Sequence, residues 1–254
     1  MINMKGVEEM NWQKKRILIF LLCGIVLCGC ACLIFGEQIT SPCIELESST
    51  ALKDSLQYKE SRDEKRTIIN LKAKAELTSI PVDVYEDESQ NQYCFFKGTD
   101  IFCSYQNKDF EYGVYVENPI TEQEALLLAE QYLSGMIAEF DQYTHVLTQH
   151  GECEKIYFIQ FSYYLFGVLS DDLINVFMQE DGMIGCVDIL NRGAFYGLSM
   201  RKKTANKIAN KSKEEEGTRF YSLLGDQLVL VERKDGGGYA VQKINSQKNT
   251  SSKK

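Results

Sequence analysis

The chain has 254 residues, of which 44% are hydrophobic and 11% aromatic, so it is long and apolar enough to bury the core of one or two small domains. A charged fraction of 25% with only three prolines excludes an intrinsically disordered protein. Residues 37–200 carry 28 acidic and 11 basic side chains, whereas residues 201–254 carry 13 basic and 6 acidic ones. This acidic body with a basic end argues against nucleic-acid binding by the chain as a whole.

An apolar run of 19 residues, 17–35, is long enough to cross a bilayer as a helix. Lys14, Lys15 and Arg16 directly precede it. Because positive residues stay on the cytoplasmic side of a membrane segment, the pattern predicts that residues 1–16 are cytoplasmic and that the rest of the chain lies outside the cell membrane.

A cleaved signal is the alternative to a retained anchor. Leu27-Cys28-Gly29-Cys30 resembles the lipobox of bacterial lipoproteins, in which the last cysteine, here Cys30, is lipidated. Residues 31–35 remain apolar after that cysteine, whereas lipoproteins usually become polar there. We therefore favour a retained transmembrane helix, and both alternatives place the following residues outside the cytoplasm.

The segment after the apolar run, residues 36–66, is polar and highly charged and is predicted to be a membrane-proximal stalk. The pattern then becomes alternating, since Ile69 and Leu71 alternate with polar residues, which is typical of a half-buried strand. Further short strands are expected at 82–85, 93–96, 101–105 and 110–116. The sequence therefore predicts a small β-rich subdomain over residues 67–118.

Residues 119–200 open with a strong helix signal. Thr121 and Glu124 form a capping box, in which each side chain accepts a hydrogen bond from the other residue's backbone amide. Apolar residues then recur at three- and four-residue spacing and predict a helix with one broad apolar face: Ala125, Leu128, Ala129, Tyr132, Leu133, Met136, Ile137 and Phe140.

Three antiparallel strands are predicted after this helix, at residues 156–165, 172–179 and 183–190. Aromatic and β-branched residues crowd the first strand, and Gly182 can take the positive φ of a tight turn between the other two. The middle strand is apolar on nearly both faces. One face must therefore pack on the helix and the other on flanking segments.

The C-terminal region is predicted to contain a charged linker at 201–217, a β-hairpin at 218–244 and a polar, disordered tail at 245–254. The basic character of this region is most simply that of a solvated end. Anionic lipid, wall polymer or the acidic body are its alternative contacts.

Five cysteines follow the apolar run: Cys43, Cys94, Cys103, Cys153 and Cys186. If residues 98 and 99 form a two-residue hairpin loop, Cys94 and Cys103 face one another at a non-hydrogen-bonded position, where Cα atoms approach to about 4.5 Å. A disulfide between them is possible, with two separate thiols as the alternative. Because five is odd, at least one thiol is unpaired or joins another chain.

Candidate metal ligands are few. His145 and His150 are the only histidines, and Cys153 follows them closely. Their spacing matches no standard zinc site, and the segment is predicted to be a polar loop. We therefore predict no metal ligands.

Candidate catalytic groups are equally few. Asp171 and Asp172 could form an acidic pair with Asp188, although carboxylates at strand ends are usually exposed. The sequence contains no nucleophile elbow, phosphate-binding loop, dinucleotide fingerprint or zinc-protease motif. We therefore predict no catalytic residue and no cofactor.

A family resemblance rests on residues 120–185. The capped helix beginning Ile-Thr-Glu-Gln-Glu-Ala, the aromatic strand and the hairpin Ile-Asn-Val-Phe…Glu-Asp-Gly-Met-Ile-Gly resemble the PepSY family over about 70 residues. Such modules occur in propeptides of secreted proteases and outside the membrane in anchored bacterial proteins. The plan of one anchor and PepSY-like material is similar to the YycH/YycI regulators of a sensor kinase. The last hairpin faintly resembles BofC-like proteins of spore formers.

Together, the pattern and the resemblance predict an α+β fold, in which a PepSY-like helix packs on an antiparallel sheet behind an N-terminal transmembrane helix. The predicted function is that of a non-catalytic, extracytoplasmic protein-binding module. It would act as a regulator, inhibitor or assembly factor for a membrane or secreted protein. The alternative is a lipoprotein-type binder of cell-wall polymer or a small ligand. Nucleic acid is not an expected partner.

Overall fold

The computed structural model describes residues 37–41, 50–69, 71, 75–214, 219–234 and 238–248. The predicted transmembrane segment 17–35, with Cys30, lies outside these residues. No helix in the described ranges is both long and apolar enough to cross a membrane. The helices are α1 (Thr50–Asp54), α2 (Glu122–Met136) and α3 (Lys202–Glu214). The strands are β1 (Gln38–Thr40), β2 (Gln57–Ile69), β3 (Ala75–Glu86), β4 (Gln92–Phe96), β5 (Phe102–Gln106), β6 (Tyr143–Gly151), β7 (Ile156–Leu165), β8 (Val168–Gln179), β9 (Ile184–Leu190), β10 (Leu198–Arg201), β11 (Arg219–Leu224), β12 (Gln227–Arg233), β13 (Tyr239–Lys243) and β14 (Gln247–Lys248).

Most of these strands form one large sheet that branches at β8. Its main order is β13-β12-β11-β8-β9-β5-β4-β3-β2, and β7 pairs with β8 while β6 pairs with β7. Near the start of β8, Ser170 pairs in parallel with Tyr221 of β11, whereas residues 173–178 pair antiparallel with β9. A smaller sheet has the order β1-β10-β14. The α+β class and the antiparallel character of the sheet are confirmed.

Helix α2 begins at the predicted capping box. Glu124 N donates to Thr121 Oγ1 at 3.2 Å, and Thr121 N donates to Glu124 Oε2 at 2.7 Å. These two bonds satisfy amides that have no partner inside the helix, which is why the helix begins at this point. The sequence prediction of the helix start is confirmed.

The buried face of α2 is narrower than the sequence predicts. Ala125, Ala129 and Leu133 are its buried residues, one for each turn, and they pack against the face of the sheet formed by β6 and β7. The helix ends at Met136, and Leu128 is exposed. Small alanines on the buried side let the helix lie close to the sheet, so its flanking apolar residues remain at the margin of the contact.

The three predicted strands after α2 are present as β7, β8 and β9, but a fourth was missed. Residues 143–151, predicted as a polar loop, form β6 and pair with β7, with His150 opposite Tyr157. Among the described strands, β6 has β7 as its only neighbour in the sheet. Its polar composition suits an edge strand that meets solvent, so the alternating apolar signal of an inner strand is absent.

The N-terminal part also differs from the expected division. Residues 57–66, which the sequence assigns to a stalk, instead form most of β2 and pair with β3. A charged edge strand is a normal way to keep sheets from aggregating, and this explains the stalk-like composition. Residues 67–118 share the same sheet as the following segment, because Ser104 of β5 pairs with Asp188 of β9.

The C-terminal segment is more ordered than the sequence suggests. Residues 202–214, predicted as linker, form α3, and the predicted hairpin is present as β11 and β12 with β13 as a third strand. Two residues of the predicted disordered tail, 247 and 248, form β14 and pair with β10. These elements are held by tertiary contacts, which composition alone does not reveal.

Replacing Leu133 by Ala should lower the free energy of unfolding by about 2–5 kcal/mol, because the side chain is fully buried and its loss leaves a cavity. Replacing Leu127 by Ala provides the matched control on the exposed side of the same helix, where a change below about 0.5 kcal/mol is expected. Urea unfolding of the purified proteins measures both. Equal losses for the two variants would contradict the assigned helix orientation.

Candidate functional site

The exposed large apolar side chains are concentrated in one part of the chain. Nine such side chains are exposed among the described residues, and five of them lie between residues 112 and 128: Tyr112, Val114, Tyr115, Leu127 and Leu128. Tyr115 is 78% exposed and Tyr112 is 63% exposed. Isolated exposed apolar side chains are ordinary, but a group of them marks an interaction surface. We call these five side chains the Tyr115 surface.

Three residues of this surface, Tyr112, Val114 and Tyr115, lie in the connection 107–120, which crosses one end of the sheet. Gly113 N donates to Glu154 O at 2.6 Å, which ties the connection to the turn between β6 and β7. Gln179 Nε2 donates to Glu111 O at 2.7 Å, which ties it to the end of β8. The backbone of this connection is therefore held at the end of the sheet where both hairpins turn.

A ring contact fixes the start of the same connection. The Phe110 ring lies on Gly185 of β9, where any Cβ would overlap the ring carbons. Tyr112 packs edge-on against Phe110, with ring centroids 5.0 Å apart. An exposed tyrosine that is oriented by a packed neighbour loses little conformational entropy when a partner covers it.

Leu128 reaches the same end of the sheet from α2, and Leu127 precedes it in the helix. Ile120 N donates to Glu180 O at 2.8 Å, so the helix begins beside the turn between β8 and β9. Leu128 contacts that turn as well, since its Cδ1 lies 2.9 Å from the position that a Cβ on Gly182 would take. The outer side of α2 and the 107–120 connection are therefore anchored to one turn.

Exposed carboxylates surround this surface. In the segments 107–124, 151–155 and 180–182 the exposed acidic residues are Asp109, Glu111, Glu117, Glu122, Glu124, Glu152, Glu154 and Asp181. The same segments contain only Lys108 and Lys155 as cations. An apolar, tyrosine-containing centre with an acidic rim is suited to a partner whose basic residues surround an apolar centre.

The histidines are separated rather than brought together. His150 Nε2 lies 2.8 Å from Glu180 Oε1, and Lys155 Nζ lies 3.7 Å from the same oxygen. His145 instead contacts a threonine hydroxyl at 2.9 Å. Within the described part of the chain, no group of three or more His, Cys, Asp or Glu side chains, Cys153 included, is arranged to hold a metal ion.

Of the possible acidic group Asp171, Asp172 and Asp188, Asp172 and Asp188 lie on opposite faces of the sheet. Asp188 lies opposite Asn175, whereas Asp172 is three residues from Asn175 and so points to the other face of β8. Asp172 is fully buried there. Tyr143 Oη donates to its Oδ1 at 2.8 Å, and Gly193 N donates to its Oδ2 at 2.8 Å. Burial raises the pKa of Asp172 to about 7, although these two bonds oppose the increase.

A buried ion pair lies near this carboxyl group. Arg192 Nε donates to Glu139 Oε1 at 2.8 Å, and Arg192 Nη1 donates to Phe102 O at 2.5 Å. Both charged side chains are almost completely buried. The pair joins the loop after β9 to β5 and to the turn after α2. Because these groups are enclosed, they position elements of the fold and are inaccessible to a substrate.

The two cysteines of the possible disulfide lie in one small buried cluster with Val82 and Val84. A bulge in the β4–β5 pair places Cys94 opposite Ser104 and not opposite Cys103, so the predicted register is off by one residue. No bond joins the two sulfur atoms. Burial raises the pKa of the Cys94 thiol to about 12, which keeps it protonated and weakly nucleophilic. The disulfide itself stays a prediction.

The exposed tyrosines Tyr112 and Tyr115 lie outside the aromatic strand β7. The aromatic strand β7 supplies the core, and its Tyr163 is 1% exposed. The connection that carries Tyr112 and Tyr115 was instead predicted to contain a strand at 110–116. Gly113 and the turn-forming pair Asn118-Pro119 were the signals against that strand, because they favour a loop.

Comparison of the chain with protein-family models, with curated proteins and with solved structures finds no match. The resemblance to PepSY modules therefore stays a prediction from residues 120–185. The arrangement of the site has to be interpreted from its own geometry and charge.

Replacing Asp172 by Asn should remove a pH-dependent part of the stability. The folded-state pKa of about 7 exceeds the value of an unfolded aspartate, about 3.9, so the protonated carboxyl favours the folded state. This contribution is complete below about pH 4 and is lost as the pH rises through about 7. Relative to Asp172→Asn, the wild-type free energy of unfolding should therefore fall across that interval, as measured by urea unfolding. A difference independent of pH would contradict the assignment.

Proposed function

We propose that this protein is a non-catalytic protein-binding module that engages its partner through the Tyr115 surface. The observation that carries the proposal is the concentration of five exposed apolar side chains, two of them tyrosines, at one acidic end of the sheet. Tyrosine is enriched among the residues that dominate binding energy at protein interfaces. The partner would be a membrane or secreted protein with a basic surface around an apolar centre.

The charge of this end supports a particular kind of association. An acidic rim accelerates encounter with a basic partner at low ionic strength, and salt screens this effect over about 10 Å. The apolar centre would contribute the part of the affinity that salt does not remove. Regulation, inhibition or assembly of the partner are all compatible with such a contact.

The proposed location is outside the cytoplasm, on a PepSY-like module held by the apolar segment 17–35. The charge pattern around that segment supports this orientation. A lipoprotein anchored at Cys30 that binds cell-wall polymer or a small ligand is the alternative. No catalytic step, metal ion or cofactor belongs to the proposal.

The proposed location can be tested with a native residue, because Cys153 is exposed. In intact cells, a membrane-impermeant thiol reagent should label the wild-type chain more strongly than a Cys153→Ser variant. Lysed cells are the reference, because the reagent then reaches every accessible thiol of both proteins. Equal labelling of wild type and variant in intact cells, with a difference only after lysis, would place this part of the chain in the cytoplasm.

The proposed surface can be tested by site-specific photo-crosslinking in cells of the native organism. A photoreactive residue at position 115 or 127 should give a discrete adduct with one protein. Positions 58 and 224 are the matched controls, because Tyr58 and Leu224 are similarly exposed but lie in other parts of the chain. Equal adducts from all four positions would contradict the assignment of the surface.

The captured protein then allows a quantitative check with purified components. The double variant Tyr115→Ala and Leu127→Ala should weaken its affinity by about tenfold or more, since truncated interface anchors cost about 2 kcal/mol or more. Its urea unfolding should match that of wild type. An unchanged affinity would show that the contact lies elsewhere.

A further inference from the structure

A cleft runs between α3 and the C-terminal strands. Two cavities, of 680 and 430 Å³, have Thr204, Gln242 and Ile244 in both of their linings, so they form one continuous depression. One end is bounded by β10 and the residues after β13, and the other by α3, β11 and β12. We call this depression the α3 cleft. It is separate from the Tyr115 surface in residues and in elements.

The lining of the α3 cleft is strongly basic. Among the residues that the structure describes, six cations and one carboxylate line it: Arg201, Lys203, Lys207, Lys211, Arg219, Lys243 and Glu232. Three of the lysines are spaced by four residues along α3, so they follow one another along one side of the helix at about 6 Å per step. The rest of the chain is acidic, which makes this concentration of positive charge a local property of the cleft.

The floor of the α3 cleft is apolar and pre-organised. Ile208, Leu230 and Ile244 are buried parts of its lining. Arg219 is 5% exposed and donates from Nη2 to Glu232 Oε1 at 2.8 Å, while Glu232 remains partly exposed. A cation fixed in this way keeps its orientation when a ligand arrives, so little ordering entropy is lost on binding.

The spacing of these lysines suits an extended chain. Residues two apart in an extended chain are separated by about 6.8 Å, which is close to the spacing of the lysines along α3.

Anionic lipid and nucleic acid fit these features less well than an acidic peptide does. A flat lipid surface does not reach the buried Arg219 or the apolar floor of a concave site. Single-stranded nucleic acid is bound by aromatic stacking platforms, and the described residues that line both cavities include no aromatic one. An extended peptide can place carboxylates beside the lysines and apolar side chains on the floor.

We propose that the α3 cleft binds an extended acidic peptide segment of a partner protein, one in which carboxylates alternate with apolar side chains. The cations of α3 and Arg219 contact the carboxylates. The apolar floor takes the alternate side chains. This site is additional to the Tyr115 surface and does not depend on its function.

The test uses the purified full-length chain and a fluorescent synthetic peptide of alternating Glu and Val, with fluorescence anisotropy as the measurement. Binding should weaken at least tenfold in the double variant Lys207→Glu and Lys211→Glu. Lys213→Glu is the matched control on the same helix, because this lysine is exposed but does not line the cleft, and it should bind like wild type. Raising the salt from about 0.05 to about 0.5 M should also weaken binding.

Three outcomes would overturn the proposal. The first is no binding of the peptide to wild type, and the second is equal weakening by Lys213→Glu and by the double variant, which would indicate non-specific charge attraction. The third is tighter binding of inorganic polyphosphate or of anionic vesicles than of the peptide, which would assign the cleft to a phosphate ligand. Urea unfolding of each variant shows whether a loss of binding reflects a loss of folding.

Discussion

The structure depends on the burial of β8 on both faces and along both edges. β7 pairs along one edge, while β11 and β9 share the other edge in succession. A strand with three neighbours must be apolar on both faces or must satisfy each polar group that it buries. Ile174 and Val176 meet the first requirement on the α2 side, and Asp172 meets the second through its two hydrogen bonds.

The branch at β8 separates two surfaces of opposite charge. The C-terminal strands that form one wall of the α3 cleft join the sheet near the start of β8, at Ser170. The Tyr115 surface surrounds the other end of the same strand, beyond Gln179. A strand of this length spans about 40 Å, so salt at physiological strength screens one surface from the other. Two partners, or two parts of one partner, could therefore bind independently.

Buried polar groups hold the loop after β9 in one position. Arg192 reaches across to Glu139 and to the backbone of β5, and Asp172 accepts from the backbone of Gly193. Breaking a buried ion pair by removing one partner is costly, so these groups strongly favour one arrangement of the loop. The Tyr115 surface and the α3 cleft contain none of these buried residues. Substitutions on either surface therefore leave these stabilising contacts intact.

The sequence by itself determined the elements whose signals are local. The capping box at Thr121, the strands β7 to β9 and the C-terminal hairpin follow from hydrogen-bonding side chains and from apolar periodicity, which act within a few residues. The unequal charge of the two parts of the chain was equally visible from the sequence. The proposed binding character of the acidic part and the membrane segment rest on such local patterns.

Only the tertiary structure decided what depends on neighbours distant in the chain. The polar or charged segments that became β2, β6 and α3 carry weak local signals, because edge strands and surface helices are stabilised by the sheet beside them. The register of Cys94 was set by a bulge that no spacing rule contains. The two proposed binding surfaces arise where separate segments meet: Gly113 with Glu154, Phe110 with Gly185, and α3 with β13. Such meetings are fixed by packing of the whole fold, and a linear pattern does not contain them.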